Sequence, residues 1–251
     1  MSSELVSIIV PAWRASGTIG DTIASVLAQT HGDWEMLVAD DCSPDDTRAI
    51  VAAWAARDPR IRLLALEKNG GPAAARNAAL AAARGRWLAF LDSDDVWLPA
   101  KLERTLAHAR AHRSVLTFTG FRRMSQDGAR VGGYIGVPRT LTYRQLLGDT
   151  AIATSTVVLD RDQVGEVRMQ RVYYDDFACW LGILRRGFVA HGLDEDLMRY
   201  RVQPRSVSRN KRRSAQEVWK AYRHIEGLGP LAAAWHFTRY AVNGARKYRR
   251  F

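Results

Sequence analysis

The sequence predicts an α/β fold with a mainly parallel sheet flanked by helices, followed by a basic helical extension at the C-terminal end. Over the first hundred residues, short β-branched runs alternate with stretches whose apolar residues recur at helical spacing. Several of the apolar runs hand over directly to polar or acidic residues at their carboxyl ends. Charge marks the extension: residues 199–251 hold 14 Lys and Arg against two acids, Glu217 and Glu226, whereas residues 1–198 hold 23 against 24. The net charge of +11 therefore belongs to the tail and misdescribes the body.

The elements follow in order. Residues 5–10, Leu-Val-Ser-Ile-Ile-Val, read as a buried strand stopped at Pro11. Residues 18–29 place Ile19, Ile23, Val26 and Leu27 on one helical face, and residues 34–39 form a second strand that delivers Asp40 and Asp41. A helix at 45–56, a strand at 60–66, an alanine-rich helix at 71–83 and a strand at 86–91 continue the alternation. Such β-α-β crossovers make the strands parallel, and ligands then bind at their carboxyl ends. Beyond Pro99 the pattern weakens to a helix at 101–112, a strand at 115–122, a turn at 125–128 and a mobile glycine-rich segment at 132–136. A strand at 154–159 and a helix at 175–186 follow; Asp175 and Asp176 occupy that helix's first turn, where the dipole favours acids. From Ser214 two helical segments are interrupted at 227–230 by Gly-Leu-Gly-Pro.

With 251 residues, 47% of them hydrophobic, the chain can bury one core, or a core with a small appendage. Cys42 and Cys179 form no C-x-x-C pair, so neither a disulfide framework nor a zinc ribbon is indicated, which suits a reducing cytosol. No run approaches the roughly 18 apolar residues of a membrane span. The first residues lack the basic and then apolar pattern of a secretory leader, so the expected location is cytoplasmic.

Asp92-Ser93-Asp94-Asp95 directly follows the apolar run 87–91. Three carboxylates gathered at the end of a buried strand are costly unless a cation sits among them. With no histidine or cysteine beside them, they suit a hard, oxygen-seeking ion such as Mg2+ or Mn2+, shared with the phosphates of a nucleotide. A solvated acidic turn is the plain alternative. Pro11-Ala12-Trp13, Asp40-Asp41 and residues 92–95 all fall at strand ends and should converge on one crevice. His108 and His112 share a helix face but have no adjacent Glu or third ligand, and a solvated face explains them.

The runs Val6-Ser-Ile-Ile-Val-Pro-Ala-Trp13, Ser25-Val-Leu-Ala-Gln-Thr30, Asp40-Asp-Cys-Ser-Pro-Asp45, Asn69-Gly-Gly-Pro-Ala-Ala-Ala-Arg-Asn77 and Phe90-Leu-Asp-Ser-Asp-Asp95 resemble, in order and spacing, those of the family 2 inverting glycosyltransferases. The likeness is strong over residues 5–100 and continues more weakly through Asp175-Asp176 and Tyr200-Arg201 to Ser208. It implies the Rossmann-like GT-A fold. A catalytic domain would span residues 1–210, with a nucleotide-sugar-binding half at 1–100 and an acceptor-binding half at 101–210, ahead of a basic amphipathic helical tail at 211–251.

The resemblance also implies roles. The base would lie near Pro11, Ala12 and Trp13, with Trp13 offering a stacking face and Asp41 accepting the N–H of a uracil ring. Arg76 would approach the base and diphosphate with a fixed charge. In the D-x-D of Asp92-Ser93-Asp94, Asp94 is the direct metal ligand, Asp92 lies nearer the ribose or a metal-bound water, and Asp95 helps to orient the sugar. A divalent ion, Mn2+ or Mg2+, would neutralise the departing diphosphate. Asp176 is the expected base for the acceptor hydroxyl and Asp175 its neighbour in the motif. Three departures stand out: Trp13 where tyrosine is frequent, Asp175 where the family has glutamate, and Gln203 where histidine is frequent.

By the same resemblance the donor is a nucleotide-sugar, with a UDP-sugar expected. The acceptor is a polyprenyl-diphosphate-linked saccharide at the cytoplasmic membrane face, in the building of bacterial surface polysaccharide such as O-antigen. The tail's Trp219, Tyr222, Trp235, Phe237, Tyr240, Tyr248 and Phe251, interspersed with Lys and Arg, have the chemistry to meet anionic headgroups peripherally. A hairpin packed on the body or on a second subunit of a homo-oligomer is the alternative. Two other classes fit less: a nucleic-acid-binding protein would leave the acidic crevice without purpose, so no nucleic acid is expected. A nucleotidyltransferase should carry a Gly- and Lys-rich loop that residues 11–20 lack.

Overall fold

The computed structural model describes residues 4–149, 151–203 and 211–248. Its first part runs β1 (Val6–Ala12), α1 (Ile19–Leu27), β2 (Trp34–Asp40), α2 (Thr47–Ala55), β3 (Ile61–Ala65), α3 (Pro72–Ala82) and β4 (Trp87–Phe90). There follow β5 (Val96–Trp97), α4 (Lys101–His112), β6 (Leu116–Met124), β7 (Val131–Ile135), β8 (Thr140–Leu141) and α5 (Tyr143–Leu146). A 3-10 turn (Thr154–Thr156) leads into β9 (Val158–Asp160), α6 (Arg161–Val164), α7 (Asp175–Arg185) and β10 (Ala190–Arg201). The chain ends in α8 (Lys211–Lys220), a π turn (Ala221–Ile225) and α9 (Pro230–Tyr248).

One sheet runs through the molecule in the order β3-β2-β1-β4-β9-β6-β10-β5, with β7 added to β6 and β8 to β10. β1 to β4 are mutually parallel, as the crossover helices require. β9 is antiparallel to both neighbours and joins this half to the parallel pair β6 and β10.

The strands alternate strictly between two cores. Ile9, Leu37, Ala39, Leu88 and Phe90 face α3, α7 and the C-terminal helices. Ile8, Val10, Met36, Val38, Trp87 and Ala89 face α1, α2 and α4. Near-continuous apolar strands are what burial on both faces demands.

The structure revises three expectations. Residues 132–136, expected to be mobile, contribute to β7, which pairs with β6 through Phe121, Arg122 and Met124. The expected strand at 154–159 is split, because Thr154, Ser155 and Thr156 form the 3-10 turn. β10 was not foreseen: Asp194, Glu195 and Asp196 interrupt its apolar pattern where its register shifts against β6. The tail helices pack as a hairpin on the body, the alternative named above, with Val218, Tyr222 and Ala233 in the core. The Tyr222 hydroxyl donates to the Leu147 carbonyl, Tyr143 Oη to Glu226 (2.7 Å) and Asn243 Nδ2 to the Gly148 carbonyl (2.8 Å).

Gly85, just before β4, sits where backbone crosses backbone: a β-carbon there would lie 2.5 Å from the Leu5 carbonyl oxygen and 2.7 Å from the Ser7 amide nitrogen. Gly85→Ala is expected to cost about 1–3 kcal/mol by forcing β1 and β4 apart. An unchanged midpoint in urea denaturation would show that the strands yield freely.

Candidate active site

At the carboxyl end of β1, Trp13 is 48% exposed and carries the Arg14 guanidinium over its ring at 4.5 Å. Beside it, the Ala12 carbonyl receives the Asp41 backbone N–H at 2.8 Å, and Pro11 pairs in register with Ala39. Of the two acids that end β2, Asp40 is fully buried and turns to an ion pair with Arg48 (3.0 Å). Asp41 turns to the start of α3. Its two carboxylate oxygens accept the backbone N–H groups of Gly70 and Gly71, each at 2.8 Å, and Asn69 Nδ2 donates to its carbonyl at 3.0 Å. Gly71 caps the helix at φ 81°, a conformation that glycine adopts without strain. The helix N-terminus thereby fixes a carboxylate beside Trp13.

The turn after β4 is held from three directions. Ser155 Oγ receives the Asp92 backbone N–H at 3.0 Å and donates to Asp95 Oδ2 at 2.5 Å, while Asp95 Oδ1 accepts the Arg201 N–H at 2.9 Å. Arg201, buried at the end of β10, donates from Nε to the Asp94 carbonyl (2.8 Å) and from Nη2 to Asp21 (2.8 Å). Thr18 Oγ1 holds the Ser93 carbonyl at 2.9 Å. Asp95 is thus turned inward and 1% exposed, and burial together with the charges of Asp94 and Asp92 pushes its carboxyl well above the usual range. That placement makes Asp95 a holder of the turn.

Asp94 lies nearer the opening. Burial, with the Asp92 charge second, pushes its carboxyl up to about 6, against a hydrogen bond from the Gln203 side chain. Gln203 therefore meets the D-x-D itself; Ser206 and Ser208 lie outside the described residues.

Arg76 projects from α3 into the middle of these acids and is 6% exposed. Its Nη2 donates to Asp92 Oδ1 at 2.6 Å and its Nη1 to Asp175 Oδ2 at 2.7 Å. Burial opposes its charge, but Asp92, Asp175 and Asp176 outweigh burial and hold the guanidinium protonated. Burial raises the Asp175 carboxyl, and the Arg76 charge partly offsets this. One residue on, Asp176 accepts the Thr154 hydroxyl and, at 2.7 Å, the N–H of Phe177. The D-x-D turn and the start of α7 are thus joined by one guanidinium.

Sequence reasoning missed Ser155, Thr154 and the anchoring role of Arg201. A visible signal existed: Thr-Ser-Thr at 154–156 places three hydroxyls together, and all three are buried. His108 and His112 stack at 4.1 Å between ring centroids, with His191 5.5 Å from His112. Among the described residues no three His, Cys, Asp or Glu side chains converge to hold a metal. The two carboxylates of Asp92 and Asp94 nevertheless suit a Mg2+ or Mn2+ ion, which takes few protein oxygens and completes its shell with phosphate and water.

Residues 7–164 match the family model described as "Glycosyl transferase family 2". The chain belongs to this family. It is 43% identical over 244 residues to the putative teichuronic acid biosynthesis glycosyltransferase TuaG of Bacillus subtilis (strain 168), covering 97% of each chain. It is 36% identical over 249 residues to the UDP-Glc:alpha-D-GlcNAc-diphosphoundecaprenol beta-1,3-glucosyltransferase WfgD of Escherichia coli, covering 99% of this chain and 96% of that one. Among solved structures it resembles the mannosyltransferase PcManGT of Pyrobaculum calidifontis, a complex with GDP-Man and Mn2+. The TM-score is 0.69 at 18% identity, over 100% of this chain and 76% of that one. The GT-A fold expected from the motifs is the fold observed. As a family 2 glycosyltransferase the chain is an enzyme, and the nucleotidyltransferase reading falls away.

A carboxyl whose folded pKa lies above its unfolded value adds stability below the unfolded pKa and loses it as pH rises through the folded one. For Asp94 that loss runs from about 4 up through about 6. Without divalent ions, Asp94→Asn should therefore gain stability relative to the parent between pH 5 and pH 7, as read from urea denaturation at each pH. A pH-independent difference would contradict the assigned environment.

Proposed function

We propose that this family 2 glycosyltransferase is an inverting enzyme that moves a sugar from a UDP-sugar to a saccharide carried on a polyprenyl diphosphate, with Asp176 as the base. The observation that carries this reading is the bridge from Asp92 through Arg76 to Asp175, which sets Asp176 in fixed relation to the D-x-D turn. The donor and acceptor in the name of WfgD, a relative matched over nearly its whole length, support both the donor and the acceptor class.

In this mechanism the donor's base rests against Trp13 and Asp41, at the strand ends where the crevice opens. Asp92 and Asp94 would hold a Mg2+ or Mn2+ ion, which supplies charge neutralisation for the leaving diphosphate. The acceptor hydroxyl attacks the anomeric carbon on the face opposite the diphosphate. As the new C–O bond forms and the bond to the diphosphate breaks, the hydroxyl proton passes to the Asp176 carboxylate. Thr154 Oγ1 and the Phe177 N–H orient that carboxylate, and its remaining lone pairs are open to the acceptor. Arg76 keeps Asp92 and Asp175 compensated, so the acids stay close without repelling the site open.

The acceptor reading places the enzyme at a membrane face, and the C-terminal helices have groups suited to it. Among the described residues no helix is long and apolar enough to cross a membrane. Yet Trp219, Leu231, Trp235 and Val242 are exposed on an extension rich in Lys and Arg. Aromatic rings at the interface and basic groups against headgroups make peripheral attachment.

Asp176→Asn should lower transfer by about 10²–10⁴-fold while UDP-sugar affinity stays within about twofold. Parallel loss of donor binding would assign Asp176 to the binding site instead. The enzyme should also sediment with vesicles containing phosphatidylglycerol, more weakly as salt rises, and Trp219→Ser with Trp235→Ser should reduce the bound fraction. Equal binding to neutral vesicles at all salt concentrations would remove the electrostatic part of this reading.

A further inference from the structure

Next to the Asp41 clamp lies a cavity of about 650 Å³ lined by Leu66, Ala74, Asn77, Arg168, Met169 and Arg171 among others. Its outer wall is the segment between α6 and α7, which the mechanism above does not use. The segment is pinned. Asn77 of α3 donates from Nδ2 to the Met169 carbonyl at 2.9 Å and accepts the Met169 N–H on Oδ1 at 2.8 Å, much as a neighbouring strand would. Met169 is buried beneath this pair. Arg168 and Arg171, either side of it, are exposed, and neither has a hydrogen bond or ion pair among the described residues.

The second observation fixes where Arg171 points. The place that a β-carbon on Gly70 would occupy lies 3.8 Å from Asp41 Oδ1 and 3.9 Å from Arg171 Nη2. The carboxylate and the guanidinium therefore both border Gly70 at the start of α3. A side chain on residue 70 would crowd it, since that same β-carbon would also stand 2.7 Å from the Ala74 β-carbon. The start of α3 thus presents an acceptor-only group and a donor-only group near each other.

We infer that Arg171 is a specificity-determining residue, donating to the O4 carbonyl of the donor's uracil while Asp41 accepts the adjacent N3–H. This rests on the UDP-sugar reading and adds the residue that enforces it. Uracil presents N3–H between two carbonyl oxygens, which complements the pair. Cytosine presents an unprotonated N3 and an amino group instead, so both protein groups would face like partners and lose their hydrogen bonds on burial. Arg171 acts as a base reader at the cavity wall, and Asn77 is the positioning residue that keeps it there.

Isothermal titration of the full chain with UDP and with CDP, each with MnCl2, tests this. The parent should prefer UDP by tenfold or more. Arg171→Ala should weaken UDP about tenfold and leave CDP within about twofold, so that discrimination collapses. Arg171→Lys, which keeps the charge but loses the planar fork, should recover only part of the preference. Asn77→Ala should lower the UDP preference although Arg171 itself is retained, because the segment carrying it loses its two hydrogen bonds to α3. Because Arg171 is exposed and unpaired, its variants should keep the parent's thermal midpoint. Equal loss of UDP and CDP affinity in Arg171→Ala would overturn the inference, since that pattern belongs to a phosphate-binding charge; so would unchanged UDP binding. A parent that binds neither nucleotide would instead defeat the donor reading itself, an outcome separate from any effect of Arg171.

Discussion

A single buried guanidinium holds this site together. Arg76 lies between Asp92, in the turn after β4, and Asp175, which with Asp176 starts α7, so two distant parts of the fold meet at one side chain. Removing Arg76 would leave Asp175 buried beside Asp92 and Asp176 without compensation, a cost larger than the net worth of the pairs themselves. The arrangement makes the spacing between the D-x-D turn and the start of α7 a property of α3, which buries Ala73, Ala75 and Ala79. Small side chains bring α3 close to β1 and β2, and that closeness lets one arginine reach both carboxylates.

A second layer of hydrogen bonds prepares the acids for work. Ser155 ties the Asp92 backbone to the Asp95 carboxyl, and Trp97 Nε1 holds the Ser155 carbonyl at 2.7 Å. Arg201 fastens the same turn from β10 and Thr18 from the start of α1. Asp94 is thereby left as the partly buried acid beside Asp92 in the turn, with Gln203 in reach. The raised Asp94 carboxyl expresses the cost of keeping charge there without a cation, the same cost by which the acidic cluster was first noticed.

Much of the first hundred residues could be read directly. β1 to β4 and their helices lie within a few residues of the expected limits, because strands buried on both faces need unbroken β-branched and apolar runs. Asp41, Asp92 and Asp94 were legible for the same reason: they end those runs. The later elements were harder. β10 carries Asp194, Glu195 and Asp196 through its bulges, where Arg122 and Arg199 pair with Asp196, so its apolar rhythm is broken by charges satisfied across the sheet. The 154–156 hydroxyls read as part of a strand because their partners, Asp95 and Asp176, are distant in sequence. The tail's aromatic residues divide between the core, where Tyr222 is fully buried, and the surface, where Trp235 is 64% exposed. Composition cannot make that division.

By itself the sequence determined the parallel α/β half, the acids at its strand ends and membership in a glycosyltransferase family, since each depends on local patterns of burial and motif spacing. Tertiary structure alone decided which acids face the crevice. Asp40 and Asp95 stand beside Asp41 and Asp94 with the same chemistry, yet they turn inward to Arg48 and to Ser155 and Arg201. The physical reason is that a carboxylate's role follows from the donors around it, and those donors arrive from residues 8 to 106 positions away along the chain.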